Sequence, residues 1–458
     1  MQTSTALPSE GLGRRIAAWA ALTVLAVAAL LAAPEARAQY PAGTGRFTLW
    51  GMVDRRTYAD GSAGTSYNEV TGAAQLRSGD RDEGGIEWGA DVRASAYPGA
   101  QGRDSRFAIY EAWVGGTTRG GLFNFKVGQL WINDLGGIGA VGGGVAEVRL
   151  KKKGKDGKRQ RRGFRLGLFA GLEPKWFETG YVSGVKKGGV YVSYDGEGAQ
   201  RSTVGWVVIK NGGLTERSVV SMTNFLPVGK TVFVYQALEY DLVPPAGQGS
   251  ASGLTYFFVN ARWTPTRIVD VQGTYHRGRS VDSRTITDDV RNGRPIDAKQ
   301  LDGFLYESYG GRVTVEVIPR LRLWAGYNQD RDNRDDKAYG RVGFGMWAAN
   351  VLGSGVDVTA SDYRNQRSGG SYDSWYFSVG RSIGPRCYLS LDYSTSLSVL
   401  SYVGPDGIVV QNKPKTRRIG LSGNANLSRH FSLMLTAEQL DDDTSKDIRV
   451  LTGVTYRF

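Results

Sequence analysis

Few residues of the 458-residue sequence have the types and spacing that catalysis or metal binding requires. The histidines are His276 and His430, and the one cysteine is Cys387. A hydrolytic triad needs a histidine within hydrogen-bonding reach of a carboxylate and a nucleophile, but Asp270 lies three alternate positions from His276. A lone cysteine forms no intrachain disulfide and, without clustered histidines, no metal site. We therefore expect neither an enzyme nor a bound metal, haem or other cofactor.

Most other charged residues lie in segments where apolar side chains occupy every second position. Residues 313–327 show this pattern on both sides of a turn at Pro319 and Arg320, and residues 121–131 and 426–440 repeat it. A period of two is that of a β-strand with one apolar and one polar face. The abundance of glycine (64 residues), tyrosine (23) and tryptophan (11) agrees with an all-β chain.

These strands are too numerous for one β-sandwich, and no break in composition divides residues 39–458 into two domains. The alternative is one barrel with an apolar face towards lipid and a polar face towards a lumen, because backbone groups in a bilayer must pair within the protein. Tight turns alternate with longer polar loops. We therefore expect an all-β, transmembrane antiparallel up-and-down β-barrel of about 18–22 strands, with short periplasmic turns and long extracellular loops. The last strand should pair with the first, near residues 46–54.

The N-terminus has the features of an export signal. Arg14 and Arg15 precede an apolar stretch at 16–33, and residues 36–38 form an A-x-A cleavage site. The stretch is also about long enough to span a bilayer as an uncleaved anchor. We predict a cleaved signal peptide over 1–38 and a single mature domain over 39–458. The net charge of +13 favours anionic partners, but export makes nucleic acid an improbable one.

Charges of both signs occupy the polar faces of the predicted strands, where they would line the lumen. Such residues either pair with one another to hold the wall or set solute selectivity, and the sequence leaves both possibilities open. The basic candidates are Arg93, Lys126, Arg149, Arg165, Arg312, Arg322, Arg418 and Arg449. The acidic candidates are Glu87, Asp91, Glu111, Glu147, Asp270, Glu316, Asp392 and Glu438.

The export signal, the aromatic-rich hairpins across 46–458 and the terminal VTYRF together resemble Gram-negative outer-membrane β-barrels of the porin type. The terminal strand, with Tyr456 and Phe458, resembles the signal that the barrel-insertion machinery reads in such proteins. The resemblance implies a location in the cell outer membrane and contact with outer-membrane lipid and lipopolysaccharide. It does not identify a subfamily.

Two further segments have open interpretations. In porins the third long loop folds into the channel as a constriction, and the glycine-rich segment 132–144, whose only charge is Asp134, takes that place here. It is either such a constriction or a flexible surface loop. The basic run 151–163 lies on the periplasmic side by strand parity. It is either a solvated loop or a surface for an acidic partner or an anionic polymer, and on the outer side it would pair with lipid A phosphates.

Two functions fit these features. The first is a porin-like channel through which small polar or anionic solutes diffuse. The second is a barrel scaffold or export pore that works with a periplasmic or extracellular protein partner, for polysaccharide export or as a sleeve around an electron-transfer cytochrome. A β-sandwich adhesin is disfavoured because it gives no reason for the terminal Phe458.

Overall fold

The computed structural model describes residues 43–64, 67–78, 84–99, 103–153, 159–175, 177–196, 199–249, 252–333, 338–367, 370–403 and 409–458. The predicted signal peptide lies outside these ranges. The strands are β1 (Thr44–Tyr58), β2 (Tyr67–Arg77), β3 (Gly85–Ala96), β4 (Arg106–Thr117), β5 (Phe123–Trp131), β6 (Ala140–Lys153), β7 (Arg159–Pro174), β8 (Tyr181–Asp195), β9 (Arg201–Asn211), β10 (Leu214–Val228), β11 (Val232–Asp241), β12 (Gly253–Trp263), β13 (Val269–Ser280), β14 (Phe304–Ile318), β15 (Leu321–Asp332), β16 (Tyr339–Ala348), β17 (Val356–Arg367), β18 (Gly370–Ile383), β19 (Cys387–Val403), β20 (Val409–Asn412), β21 (Lys415–Asn426), β22 (Phe431–Asp441) and β23 (Ser445–Arg457).

Apart from β20 and β21, each strand pairs antiparallel with the next, and β23 pairs with β1, so the sheet closes on itself. Strands β20 and β21 both pair with β19 and form two parts of one barrel strand. The described residues therefore form a 22-stranded barrel. The predicted antiparallel up-and-down barrel is confirmed, at the upper end of the expected strand number.

The seam joins the last strand to the first, as predicted. The β1–β23 register runs from Arg46 opposite Arg457 to Tyr58 opposite Ser445. Backbone hydrogen bonds of 3.1 Å in both directions tie Phe458 to Gly45, and the Phe458 ring stacks on Phe47 with centroids 5.7 Å apart. The terminal aromatic residue thus closes the outer surface of the seam.

The barrel is apolar outside and polar inside. Ile86 is 69 % exposed on the outer face of β3, whereas its neighbour Glu87 is 6 % exposed on the inner face. The same alternation continues around the barrel, where outward Leu, Val, Phe and Trp side chains are about half exposed. This is the arrangement of outer-membrane barrels of the porin type, and the resemblance drawn from the sequence is confirmed for the fold.

The two ends of the barrel differ. The end that holds Gly43 and Phe458 has tight turns such as 319–320 and 384–386, and the described residues of the basic run, at the end of β6 and the start of β7, lie at this end. Residues 154–158 of that run lie outside the described residues. The opposite end has the long connection 281–303, which contains helices α1 (Ser283–Arg291) and α2 (Ala298–Asp302). That end also has short turns among the described residues, at 212–213 and 442–444.

Among the described residues, no helix combines the length and apolarity needed to cross a membrane.

Candidate functional site: the barrel lumen

The structure places all sixteen charged residues named from the sequence on the inner face of the barrel, opposite the exposed apolar side chains. Several of them pair with each other across neighbouring strands. Arg418 donates to Glu438 at 2.8 Å, and Arg449 donates to the other oxygen of Glu438 at 2.9 Å. Arg322 donates to Glu316 at 3.0 Å. These contacts form part of a charged inner wall.

Other members of the set have partners that the sequence analysis did not name. Arg77 donates to Glu111 at 2.8 Å, Gln75 to Asp91 at 2.6 Å, and the Tyr376 hydroxyl to Asp392 at 2.8 Å. Arg262 lies 2.5 Å from Asp270, and the Arg93 guanidinium lies 5.0 Å from the centroid of the Tyr110 ring. Lys126 and Glu87, both members of the set, lie 3.9 Å apart. Most of the candidates are thus held by neighbours, and their role in solute selection stays a prediction.

The segment between β5 and β6 folds against the inner wall. Residues Asn133–Ile138 form a 3-10 turn that contacts β9 and β10, and the Thr223 hydroxyl donates to the Asp134 carbonyl at 2.9 Å. The Leu135 side chain is 1 % exposed. It lies over Gly205, where a Cβ would come within 2.5 Å of Leu135 Cδ2. The segment is shorter than the predicted 132–144, because Ala140 already begins β6.

Asp134 belongs to an ion-pair network on this wall. It accepts hydrogen bonds from Arg165 at 2.9 Å and from Arg201 at 3.3 Å. Arg165 also donates to Glu147 at 3.0 Å and to Asp195 at 2.8 Å. Because two arginines compensate its charge, Asp134 does not present a free carboxylate to the lumen.

An apolar cluster inside the barrel holds the same segment, and the sequence analysis missed it. In β9, Val207 is fully buried on the inner face, while Trp206 is 47 % exposed on the outer face. The consecutive apolar residues 206–209 are the sequence signal for a strand that is covered on both faces. The cluster comprises Leu130, Ile132, Leu135, Ile138, Val141, Val145, Phe169, Val185, Tyr191, Val207, Ile209 and Val219.

Helix α1 also folds inward, onto β9 and β10, and it too was missed. Asp282 caps its N-terminus by accepting from the Thr285 backbone N–H at 3.1 Å. Arg284 donates to Glu216 at 3.0 Å and to Glu173 at 2.9 Å. Burial disfavours the charged form of Arg284 and acts to lower its pKa. The hydrogen bonds to Glu216 and Glu173 outweigh this effect and raise the pKa.

Ile286 of α1 is fully buried. On the same helix, Asp288 accepts a hydrogen bond from Asn211 of the wall at 2.9 Å. The residues Asp282 to Asn292 form a capped, amphipathic pattern that a closer reading of the sequence could have identified as a helix.

A cleft of about 970 Å³ opens on the lumen near the end that holds Phe458. Trp324 has its ring against the wall, because Gly343 and Gly345 leave room for it, and the Arg312 guanidinium lies 4.2 Å from the ring centroid. Among the described residues, Arg312 has no carboxylate partner. The other charged lining residues are Lys230, Arg262, Arg267, Asp270, Glu316 and Arg322.

His276 lies among aromatic rings in a second lumen cleft. Its centroid is 5.4 Å from that of Tyr256, 6.0 Å from Phe258 and 5.6 Å from Tyr306. Within the part of the chain that the structure describes, no group of three or more His, Cys, Asp or Glu residues is arranged to hold a metal ion. The prediction that the chain is not an enzyme stays a prediction.

No protein-family model and no curated protein sequence matches the chain. Solved structures with some similarity include Pseudomonas aeruginosa OpdQ, at 9 % identity over 91 % of this chain and 99 % of that chain, with a TM-score of 0.42. Acinetobacter baumannii OccAB2 is 9 % identical over 91 % of this chain and 98 % of that chain, with a TM-score of 0.45. The P pilus usher (PapC) translocation pore is 11 % identical over 90 % of this chain and 99 % of that chain, with a TM-score of 0.46. Similarity at this level assigns neither a family nor a function to the chain.

Proposed function

We propose that the chain forms a channel in the outer membrane of a Gram-negative bacterium, through which small polar or anionic solutes diffuse. The observation that carries this proposal is the solvent accessibility of charged side chains on the inner wall. The side chains of Arg262 and Arg322 are 60 % and 51 % exposed, whereas Arg165, beneath the segment 132–139, is 12 % exposed. Charged groups that remain accessible inside a closed barrel line an aqueous space.

The inward-folded elements narrow this space from one side. The 3-10 turn and helix α1 both contact β9 and β10, and a barrel of 22 strands is wider than the 16–18-stranded barrels that leave an aqueous channel. The wall from β12 to β23 carries exposed charges, among them Arg262, Arg322 and Arg449. Asp134 and its segment therefore form a constriction of the channel. The channel passes between this segment and the charged wall on the opposite side of the barrel.

A preference for anions follows from the cleft around Arg312. Five cationic side chains and two carboxylates line it. Each carboxylate already has an arginine partner, Asp270 with Arg262 and Glu316 with Arg322. Arg312 keeps its donors free while the Trp324 ring fixes its position, and guanidinium groups bind carboxylate and phosphate oxygens well.

The reversal potential in a salt gradient tests this preference. We expect Arg312→Gln to reduce the anion-to-cation permeability ratio of the reconstituted channel by about twofold, because one uncompensated charge leaves the wall. The control is Arg381→Gln, which removes an arginine from the outer face of β18. If both variants keep the wild-type ratio, Arg312 does not select the solute.

The second candidate is the scaffold or export pore that works with a protein partner. Only the width of a 22-stranded barrel favours it, and the segment and helix that occupy part of the lumen leave less room for a partner. A partner that co-purifies in stoichiometric amount from native membranes would support this function. Purification of the chain alone would count against it.

A further inference from the structure

An apolar groove of about 530 Å³ runs along the outer face of β5 to β10. Its outward lining side chains include Val148, Leu168, Val190, Val192, Val204 and Trp206. The groove floor is low at Ala146, whose outward side chain is a single methyl group. The groove thus has the shape and surface chemistry that an acyl chain fills.

Two lysines lie on the outer face between this groove and the barrel end opposite Phe458. Lys186 of β8 and Lys210 of β9 are register partners, so their side chains leave the outer face side by side. Both are exposed. Lys186 precedes Val190 by four residues and Lys210 follows Trp206 by four, which places both about 13 Å along the strands from the groove.

The two ammonium groups have no compensating charge within the described part of the chain. No carboxylate there pairs with Lys186 or Lys210. Like charges directly opposite each other on a sheet destabilise it. An anion that bridges the two lysines removes this cost, and an anion with an acyl chain also covers the apolar groove below.

We propose that Lys186, Lys210 and the groove form a binding site for a phosphorylated lipid of the leaflet at this end of the barrel. The phosphate lies between the two ammonium groups, and an acyl chain follows Val190 and Trp206 into the groove. Charge complementarity selects the headgroup, and the groove selects a lipid over a free phosphate ion. The site lies outside the barrel and is independent of what the lumen conducts.

Lipid titration of the detergent-purified full chain, followed by native mass spectrometry, tests the site. The probe is lipid A, and the matched ligand is dephosphorylated lipid A with the same acyl chains. We expect the Lys186→Gln/Lys210→Gln variant to bind lipid A about 30-fold more weakly, because each lysine near an anionic lipid surface contributes about a fivefold factor. The dephosphorylated lipid should bind both proteins equally weakly.

The control variant is Lys446→Gln, which removes an outward lysine that faces Asp441 across β22 and β23. It should bind lipid A like the wild type. Ala146→Phe fills the groove while it keeps both lysines, and it should also weaken lipid A binding. Unchanged heat-modifiable gel mobility shows that each variant is folded.

Three results would overturn the proposal. The first is equal lipid A affinity in the wild type and the double lysine variant. The second is equal affinity of the wild type for lipid A and its dephosphorylated form. The third is competition by millimolar inorganic phosphate together with no effect of Ala146→Phe, which would identify an ion site without a lipid.

Discussion

Replacement of Leu135 by alanine should release the segment 132–139 from the inner wall without unfolding the barrel. Leu135 is 1 % exposed and belongs to the apolar cluster inside the barrel. It is not part of any strand, so the hydrogen bonds that close the barrel do not depend on it. The lost packing therefore acts on the docking of the segment.

The magnitude follows from the burial of this side chain. Truncation of a fully buried leucine to alanine costs about 2–5 kcal/mol. A loss of about 3 kcal/mol raises the undocked fraction of the segment by about 100-fold. The ion pairs from Asp134 to Arg165 and Arg201 remain and limit the displacement.

Hydrogen exchange of the detergent-solubilised barrel measures this opening directly. Peptides that cover residues 133–138 should exchange about 100-fold faster in Leu135→Ala than in the wild type, while strand amides on β14 to β19 keep their rates. The matched control is Leu168→Ala, which truncates a 58 % exposed leucine on the outer face of β7. An unchanged exchange rate in Leu135→Ala, or an equal increase in the control, would refute the role of Leu135 in docking.

Three further substitutions test the inward-folded elements and the seam. Gly205→Ala should weaken the docking of the same segment, because the added Cβ would lie 2.5 Å from Leu135 Cδ2. A wild-type rate of hydrogen exchange at residues 133–138 in this variant would contradict the contact. Glu216→Gln leaves Arg284 with one carboxylate, so amides of Ser283–Arg291 should exchange about tenfold faster, whereas the exposed-site control Glu178→Gln should change nothing. Phe458→Ala removes the ring stacked on Phe47 and should lower the temperature at which the folded gel band is lost. If Phe458 also belongs to the insertion signal, less folded barrel should reach the membrane of cells, and normal amounts would argue against that role.

The barrel itself could be predicted because its cause is local and repeated. The alternation at Val313, Val315 and Val317, and again at Leu433 and Leu435, sets both the strands and their outer face. Closure at the seam follows from the apolar period of the last strand up to Phe458. The same period places charged residues such as Glu438 and Arg449 inside, since side chains on a strand alternate between its two faces.

The contents of the lumen could be predicted only in part. The sequence predicts the segment with Asp134 as one of two alternatives, a constriction, but its partners Arg165, Arg201 and Thr223 come from strands far apart in sequence. Helix α1 depends on Glu173 and Glu216, more than 60 residues from Arg284. Such contacts have no period along the chain, and only the closed barrel brings these residues together.

Single-channel conductance of the full chain in a planar bilayer tests the central claim, an aqueous lumen, most directly. We expect discrete, ohmic openings with a preference for anions, because charged side chains from Arg312 to Arg449 remain accessible inside the barrel. Absence of conductance from protein that shows the heat-modifiable mobility of a folded barrel would contradict an open lumen.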